Sequence, residues 1–93
     1  MTKMTGSRFL AETLKGYGLS HVFFMPVFGI GALKEIEELG MRRIMVHGEK
    51  PAAYMADGYA RIAGHPGVCM AQAVGAANLA AGLQDPYLAG SPV

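Results

Sequence analysis

Apolar and polar positions run along this chain in two rhythms, and the switches between them mark its elements. Near the N-terminus Phe9, Leu10, Leu14 and Tyr17 recur at helical spacing, with Glu12 and Lys15 toward water and Thr5 or Ser7 placed as a cap. Gly16 and Gly18 bracket the end of that helix. His21-Val22-Phe23-Phe24 follows as a continuous apolar run, the pattern of a strand covered on both faces in a parallel sheet. Residues 25–31 form a turn-rich connector. A second helix over 32–39 carries Leu33, Ile36 and Leu39 on one side and Lys34, Glu35, Glu37 and Glu38 at polar positions, and Gly40 ends it. Residues 43–46 read as a second strand, 68–71 as a third, and a fourth helix opens near Gly75 with Leu79 and Leu83 as apolar points. Pro86 is placed to end or kink it, and 90–93 looks like a connector into another strand.

The chain is organised around residues 47–64. An apolar run stops at His47-Gly48, and a helix begins near Pro51 and ends at Gly64. Proline suits a first helical turn, where its missing N–H costs nothing, and glycine is the common residue just past a helix end. Ala52, Ala53, Ala56, Ala60 and Ala63 let another backbone come close, and Met55, Tyr59 and Ile62 add bulk. Glu49 therefore stands where a strand turns into a helix, at the strand's carboxyl end, which is where ligands bind in open α/β sheets. The alternation of helices and strands predicts an α/β fold, a three-layer parallel sheet flanked by helices. Three short strands make a poor sheet alone, so residues 1–93 read as part of a larger, truncated domain.

Composition narrows the functional classes. With 93 residues, 52% hydrophobic and 16% charged, the chain can supply a core and is unlike a disordered segment. It is rich in apolar residues for its length, which points to a further surface that it covers. A net charge of +1 leaves no electrostatic footprint for nucleic acid. No apolar run approaches the roughly 20 residues that cross a bilayer, and the first residues lack the apolar stretch of a signal peptide, so a cytoplasmic protein is expected. Cys69 is the single cysteine, flanked by Val68 and Met70, and reads as a buried thiol.

Candidate chemistry is sparse. His21, His47 and His65 are too dispersed for a metal site. Glu49 and Asp57 lie about two helical turns apart, some 12 Å by rise, which supports a paired-carboxylate site only weakly. Gly58 inside a helix costs about 1 kcal/mol relative to alanine, and a close-packing partner there would account for it. Arg61 is a last-turn cation or a partner for Asp57. Gly75-Ala76-Ala77-Asn78 opens a helix soon after a strand, where free N–H groups receive polar ligand atoms, although a plain turn has the same pattern. Glu49 reads either as a first-turn acid stabilised by the helix dipole or as a half-buried functional carboxylate.

The run Glu49-x-x-Ala52-x-x-Met55-Ala56-Asp57-Gly58-Tyr59-Ala60-Arg61-x-x-Gly64 resembles the glutamate-containing signature of thiamine diphosphate-dependent enzymes, and most nearly the acetolactate synthase-like group. Gly18-Leu19-Ser20-His21-Val22-Phe23, Pro66-Gly67-Val68, Gly75-Ala76-Ala77-Asn78 and Gly82-Leu83 agree with it, so the resemblance covers nearly the whole chain. It implies the first half of a flavodoxin-like pyrimidine-binding domain. The matching glutamate in that family bonds N1′ of the cofactor's aminopyrimidine and promotes the tautomer that takes the thiazolium C2 proton, opening C2 to attack on a 2-oxo acid such as pyruvate. Carried over, Glu49 is the catalytic, cofactor-activating acid, and Gly75, Ala76, Ala77 and Asn78 match a loop near the pyrimidine and substrate. Gly58 and the alanines match a helix at a homo-oligomer contact, dimer or tetramer. Mg2+ is expected as well, with ligands outside these residues, since the Gly-Asp-Gly motif and its distant Asn are not among them. FAD occurs in some relatives, and nothing in these residues supports it here. Departures are Gly48 where a His commonly precedes the glutamate, with His47 one further back, and Ala73-Val74-Gly75 where Gly-Pro-Gly is common. An alternative is a non-catalytic α/β binding or assembly module that keeps the fold.

Overall fold

The computed structural model describes residues 3–25 and 30–93. Residues 26–29 of the predicted connector lie outside the described part. The helix α1 (Gly6–Gly16) leads into β1 (His21–Phe24), followed by α2 (Ile30–Glu38), β2 (Arg42–Met45) and α3 (Glu49–Ala63). After these come β3 (Val68–Met70), α4 (Ala73–Ala81) and α5 (Gln84–Ala89). The strands form a parallel sheet in the order β2-β1-β3, with Phe23 opposite Ile44 on one side and Cys69 on the other. The predicted parallel α/β fold is what forms. The strand order changes direction at β1, since the chain steps from β1 to β2 on one side and then crosses to β3 on the other.

Side chains alternate across the sheet and so build two cores. Val22 and Phe24 point to one face, where they join Ala11, Leu33, Ile36 and Met41 under α1 and α2. Phe23 points to the other, with Val46, Ala52 and Ala56 under α3, and Leu79 of α4 packs on the same cluster. Burial of β1 on both faces follows from its central place, and a fully buried Val22 or Ile36 is worth about 1.5–3 kcal/mol. Arg8 ties α1 to α2, with Nη1 3.0 Å from Glu35 and Nη2 2.8 Å from Glu12.

Three local expectations are corrected. Phe9, Leu10 and Tyr17 are exposed and α1 packs through Ala11 and Leu14 instead. At 100° per residue Phe9 sits about 140° from Leu14, and Tyr17 caps the helix beyond its last turn. Pro86 does not stop α4, which ends at Gly82. It is the third residue of α5, in the first turn where a missing N–H costs nothing. Residues 90–93 carry no helix or strand, in keeping with a connector, and the Pro92 carbonyl accepts from the Gly67 N–H at 2.8 Å beside the start of β3. Four of the five alanines of α3 do not face outward: Ala52, Ala53, Ala56 and Ala60 are buried inside the chain, and Ala63 is exposed. The opposite stripe, Tyr54, Met55, Gly58 and Ile62, is exposed.

Candidate active site at the carboxyl edge of the sheet

Two connections bring the candidate residues together. Val46 leaves the end of β2, and Gly48, extended at φ −171°, caps α3 so that Glu49 becomes its first residue, two before Pro51. A carboxylate in that turn is favoured by the helix dipole. On the other side of β1, β3 ends at Met70 and Gln72 caps α4, whose first turn carries Gly75. Both helix starts therefore lie at the carboxyl edge of the parallel sheet, on the face covered by α3 and α4.

The contact between them is close. A Cβ built on Gly75 would stand 2.8 Å from Glu49 Oε1, 2.9 Å from its Cγ and 3.1 Å from its Cδ. The carboxyl arm thus lies flat on bare backbone. Asn78, one turn further along α4, donates from Nδ2 to Glu49 Oε2 at 3.5 Å, a long bond. Gly82 repeats the device at the far end of α4, where a Cβ would come within 2.7 Å of Ala53 Cβ and 2.8 Å of the Lys50 carbonyl oxygen. Glu49 is half-buried and Asn78 exposed. Gln72 Oε1, at the cap of α4, is buried and has no hydrogen-bond partner among the described residues.

Loop geometry at the start of α4 has its own signature. Ala73 has φ +44°, the sole non-glycine residue with positive φ among those described. That backbone favours glycine, and an L-residue there carries strain of about 1–2 kcal/mol.

Residues 4–93 match the family described as thiamine pyrophosphate enzyme, N-terminal TPP binding domain. The chain belongs to this family. It is 35% identical over 99 residues to acetolactate synthase from Arthrospira platensis, covering 98% of the chain and 17% of that relative. It is 33% identical over 92 residues to a probable 2-ketoarginine decarboxylase from Pseudomonas aeruginosa, with 97% and 16% covered. It is 40% identical over 93 residues to sulfoacetaldehyde acetyltransferase from Alcaligenes xylosoxydans xylosoxydans, with 98% and 15% covered. The chain therefore spans about a sixth of the length of the relatives it matches.

Within this thiamine pyrophosphate enzyme domain, Glu49, Gly75 and Asn78 converge, while Ala76 and Ala77 are exposed residues of the same α4 turn. His47 is exposed before the cap of α3. Asp57 and Glu49 make no carboxylate pair, because Asp57 bonds Arg61, whose Nε donates to Oδ1 at 2.8 Å. That guanidinium holds the Asp57 carboxyl below its usual range. The Ser91 hydroxyl acts in the same direction, although it forms no hydrogen bond of regular geometry. Gly58 has no neighbour within 4 Å of a built Cβ, so the close partner expected for it is not among the described residues. Cys69 is half-buried against the second core, and that burial pushes its thiol up. Among the described residues no three His, Cys, Asp or Glu side chains gather as a metal site needs, and no helix is long and apolar enough to cross a membrane.

One cluster had no sequence signal beyond its residue types. Ser20 Oγ lies 2.7 Å from both His21 Nδ1 and Tyr59 OH, and the His21 and Tyr59 rings lie 4.9 Å apart, tilted by 42°. It sits at the amino end of β1, away from Glu49, and clamps the C-terminal half of α3 to the sheet.

Proposed function

We propose that residues 1–93 are the N-terminal part of a pyrimidine-binding domain in a thiamine diphosphate-dependent carboligase or decarboxylase, acetolactate synthase-like and acting on a small 2-oxo acid such as pyruvate. Glu49 is the acid that activates the cofactor. The observation that carries this reading is the placement of Glu49 as the first residue of α3 with its carboxyl group laid on Gly75, where the sheet offers its ligand-binding edge.

The residues present fit an aminopyrimidine. Glu49 offers carboxyl oxygens that hold a ring nitrogen by hydrogen bond and keep or release a proton there. Glycine at 75 leaves backbone uncovered beside it, and the buried, unpartnered Gln72 Oε1 is an acceptor suited to an amino donor. When bound, thiamine diphosphate supplies the electron sink that makes decarboxylation of a 2-oxo acid possible. The side chains of this chain bind and orient the ring and move a proton at the Glu49 carboxyl group. Mg2+ and the diphosphate are held by residues outside these 93.

The same reading includes a homo-oligomer, dimer or tetramer, in the cytoplasm. The exposed stripe of α3 supports it: Tyr54, Met55 and Ile62, the last 91% exposed, flank Gly58, where a facing helix could approach closely. Because cofactor binding in this reading needs a partner's residues, the 93 residues alone are expected to show no tight binding in calorimetric titration with thiamine diphosphate and Mg2+. Submicromolar binding by this chain alone contradicts that dependence. Replacing Glu49 by Gln in the full-length protein tests the central role, and retained turnover refutes it.

A further inference from the structure

We infer that Gly75 and Asn78 are positioning residues that fix the Glu49 carboxyl group; the inference rests on the role proposed for Glu49. The two residues are three apart and share one face of α4. Their contacts divide the carboxyl group between them, with Oε1, Cγ and Cδ against Gly75 and Oε2 accepting from Asn78 Nδ2. Seven residues beyond Gly75 on the same face, Gly82 seats α4 on Ala53 and on the Lys50 carbonyl, the residue after Glu49. The platform and the acid are therefore docked to each other at both ends of α4, and the carboxyl group has backbone beneath it and a donor at one oxygen.

A side chain at 75 breaks this arrangement. Ordinary carbon contacts need about 3.5–4.0 Å, so the built Cβ at 2.8 to 3.1 Å forces the carboxyl arm away by roughly 1 Å. A misplacement of that size in a catalytic group costs up to about 100-fold in rate. The Asn78→Leu replacement keeps roughly the same volume and removes the donor without adding a charge beside Glu49, so it separates orientation from packing. Asn78 is exposed, and this variant is expected to fold even where Gly75→Ala does not.

The test uses the full-length protein with thiamine diphosphate and Mg2+. Crystal structures of the ligand-free parent and of Gly75→Ala give the Glu49 position. Titration gives the cofactor Kd, and proton–deuterium exchange at cofactor C2 under saturation gives the activation rate. The expected result is a displaced Glu49 in Gly75→Ala, with exchange slowed by about 10- to 100-fold in both variants. Cofactor Kd is expected to stay within about threefold of the parent, below 1 kcal/mol. Weakened Kd with undiminished exchange at saturation makes the two residues cofactor contacts and overturns the inference. So does an unmoved Glu49 in Gly75→Ala, or parental exchange in Asn78→Leu. Failure of the underlying role shows separately, as parental exchange in Glu49→Gln.

Discussion

Gly82→Ala probes the contact that holds α4, and hence the site, against α3. Gly82 is buried, and its φ of −85° and ψ of −5° are open to any L-residue, so the change introduces no backbone strain. The added methyl group meets Ala53 Cβ at 2.7 Å and the Lys50 carbonyl oxygen at 2.8 Å. Normal carbon contacts lie near 3.5–4.0 Å, so the helices must part by about 1 Å. Overpacking of this kind costs about 1–3 kcal/mol. Against it stands the smaller entropy of the unfolded alanine chain, worth about 0.4–1 kcal/mol. The net expectation is a loss of about 1–2 kcal/mol, a fall in Tm of about 4–8 °C per kcal/mol for a domain of this size. Urea unfolding followed by far-ultraviolet circular dichroism and by tyrosine emission, undisturbed since the chain has no Trp, measures it. Ala53→Gly removes one of the two obstructions, so the double variant should show a favourable coupling of at least about 0.5 kcal/mol. Parental stability in Gly82→Ala, or additive effects in the cycle, refutes the close helix contact.

Ala73→Gly should raise stability. It relieves about 1–2 kcal/mol of left-handed strain and costs about 0.5–1 kcal/mol in unfolded-chain entropy, so a net gain of about 0.5–1 kcal/mol is expected in the same urea assay, and a loss contradicts the strain. The Arg61–Asp57 pair sets an acid dependence. The folded Asp57 carboxyl is held below its ordinary 3.8, so its stabilisation is complete above that value and disappears as pH falls through the folded one. The stability difference between parent and Arg61→Leu should therefore be steady above about pH 5 and shrink toward pH 3. A difference that stays constant down to pH 3 rules out the shifted carboxyl.

How much could be read from residues alone depends on how local the cause is. The strand His21–Phe24 follows from an unbroken apolar run, and the end of α3 from Gly64, which takes the left-handed cap at φ 71°. The start of α3 was less legible, because proline is allowed anywhere in the first turn and Pro51 is third, not first. The same ambiguity hid α5 behind Pro86. Small residues announce close packing but do not say against what. Four alanines of α3 turn inward to the sheet and α4, while the glycine that seemed to need a neighbour, Gly58, faces out. Contacts between distant positions had no local signal: Glu49 with Gly75, and Tyr59 with Ser20, depend on strand order and on how α3 and α4 cross the sheet. Glu49 was singled out by position and resemblance, whereas the buried acceptor of Gln72 became visible only in the fold.

The most direct measurement is the rate of proton–deuterium exchange at C2 of thiamine diphosphate bound to the full-length protein, compared between parent and Glu49→Gln at saturating cofactor. A general acid–base group of this kind contributes about 100- to 10,000-fold, and a loss of that order with cofactor still bound is expected. Exchange at the parental rate contradicts the assignment of Glu49 as the activating acid.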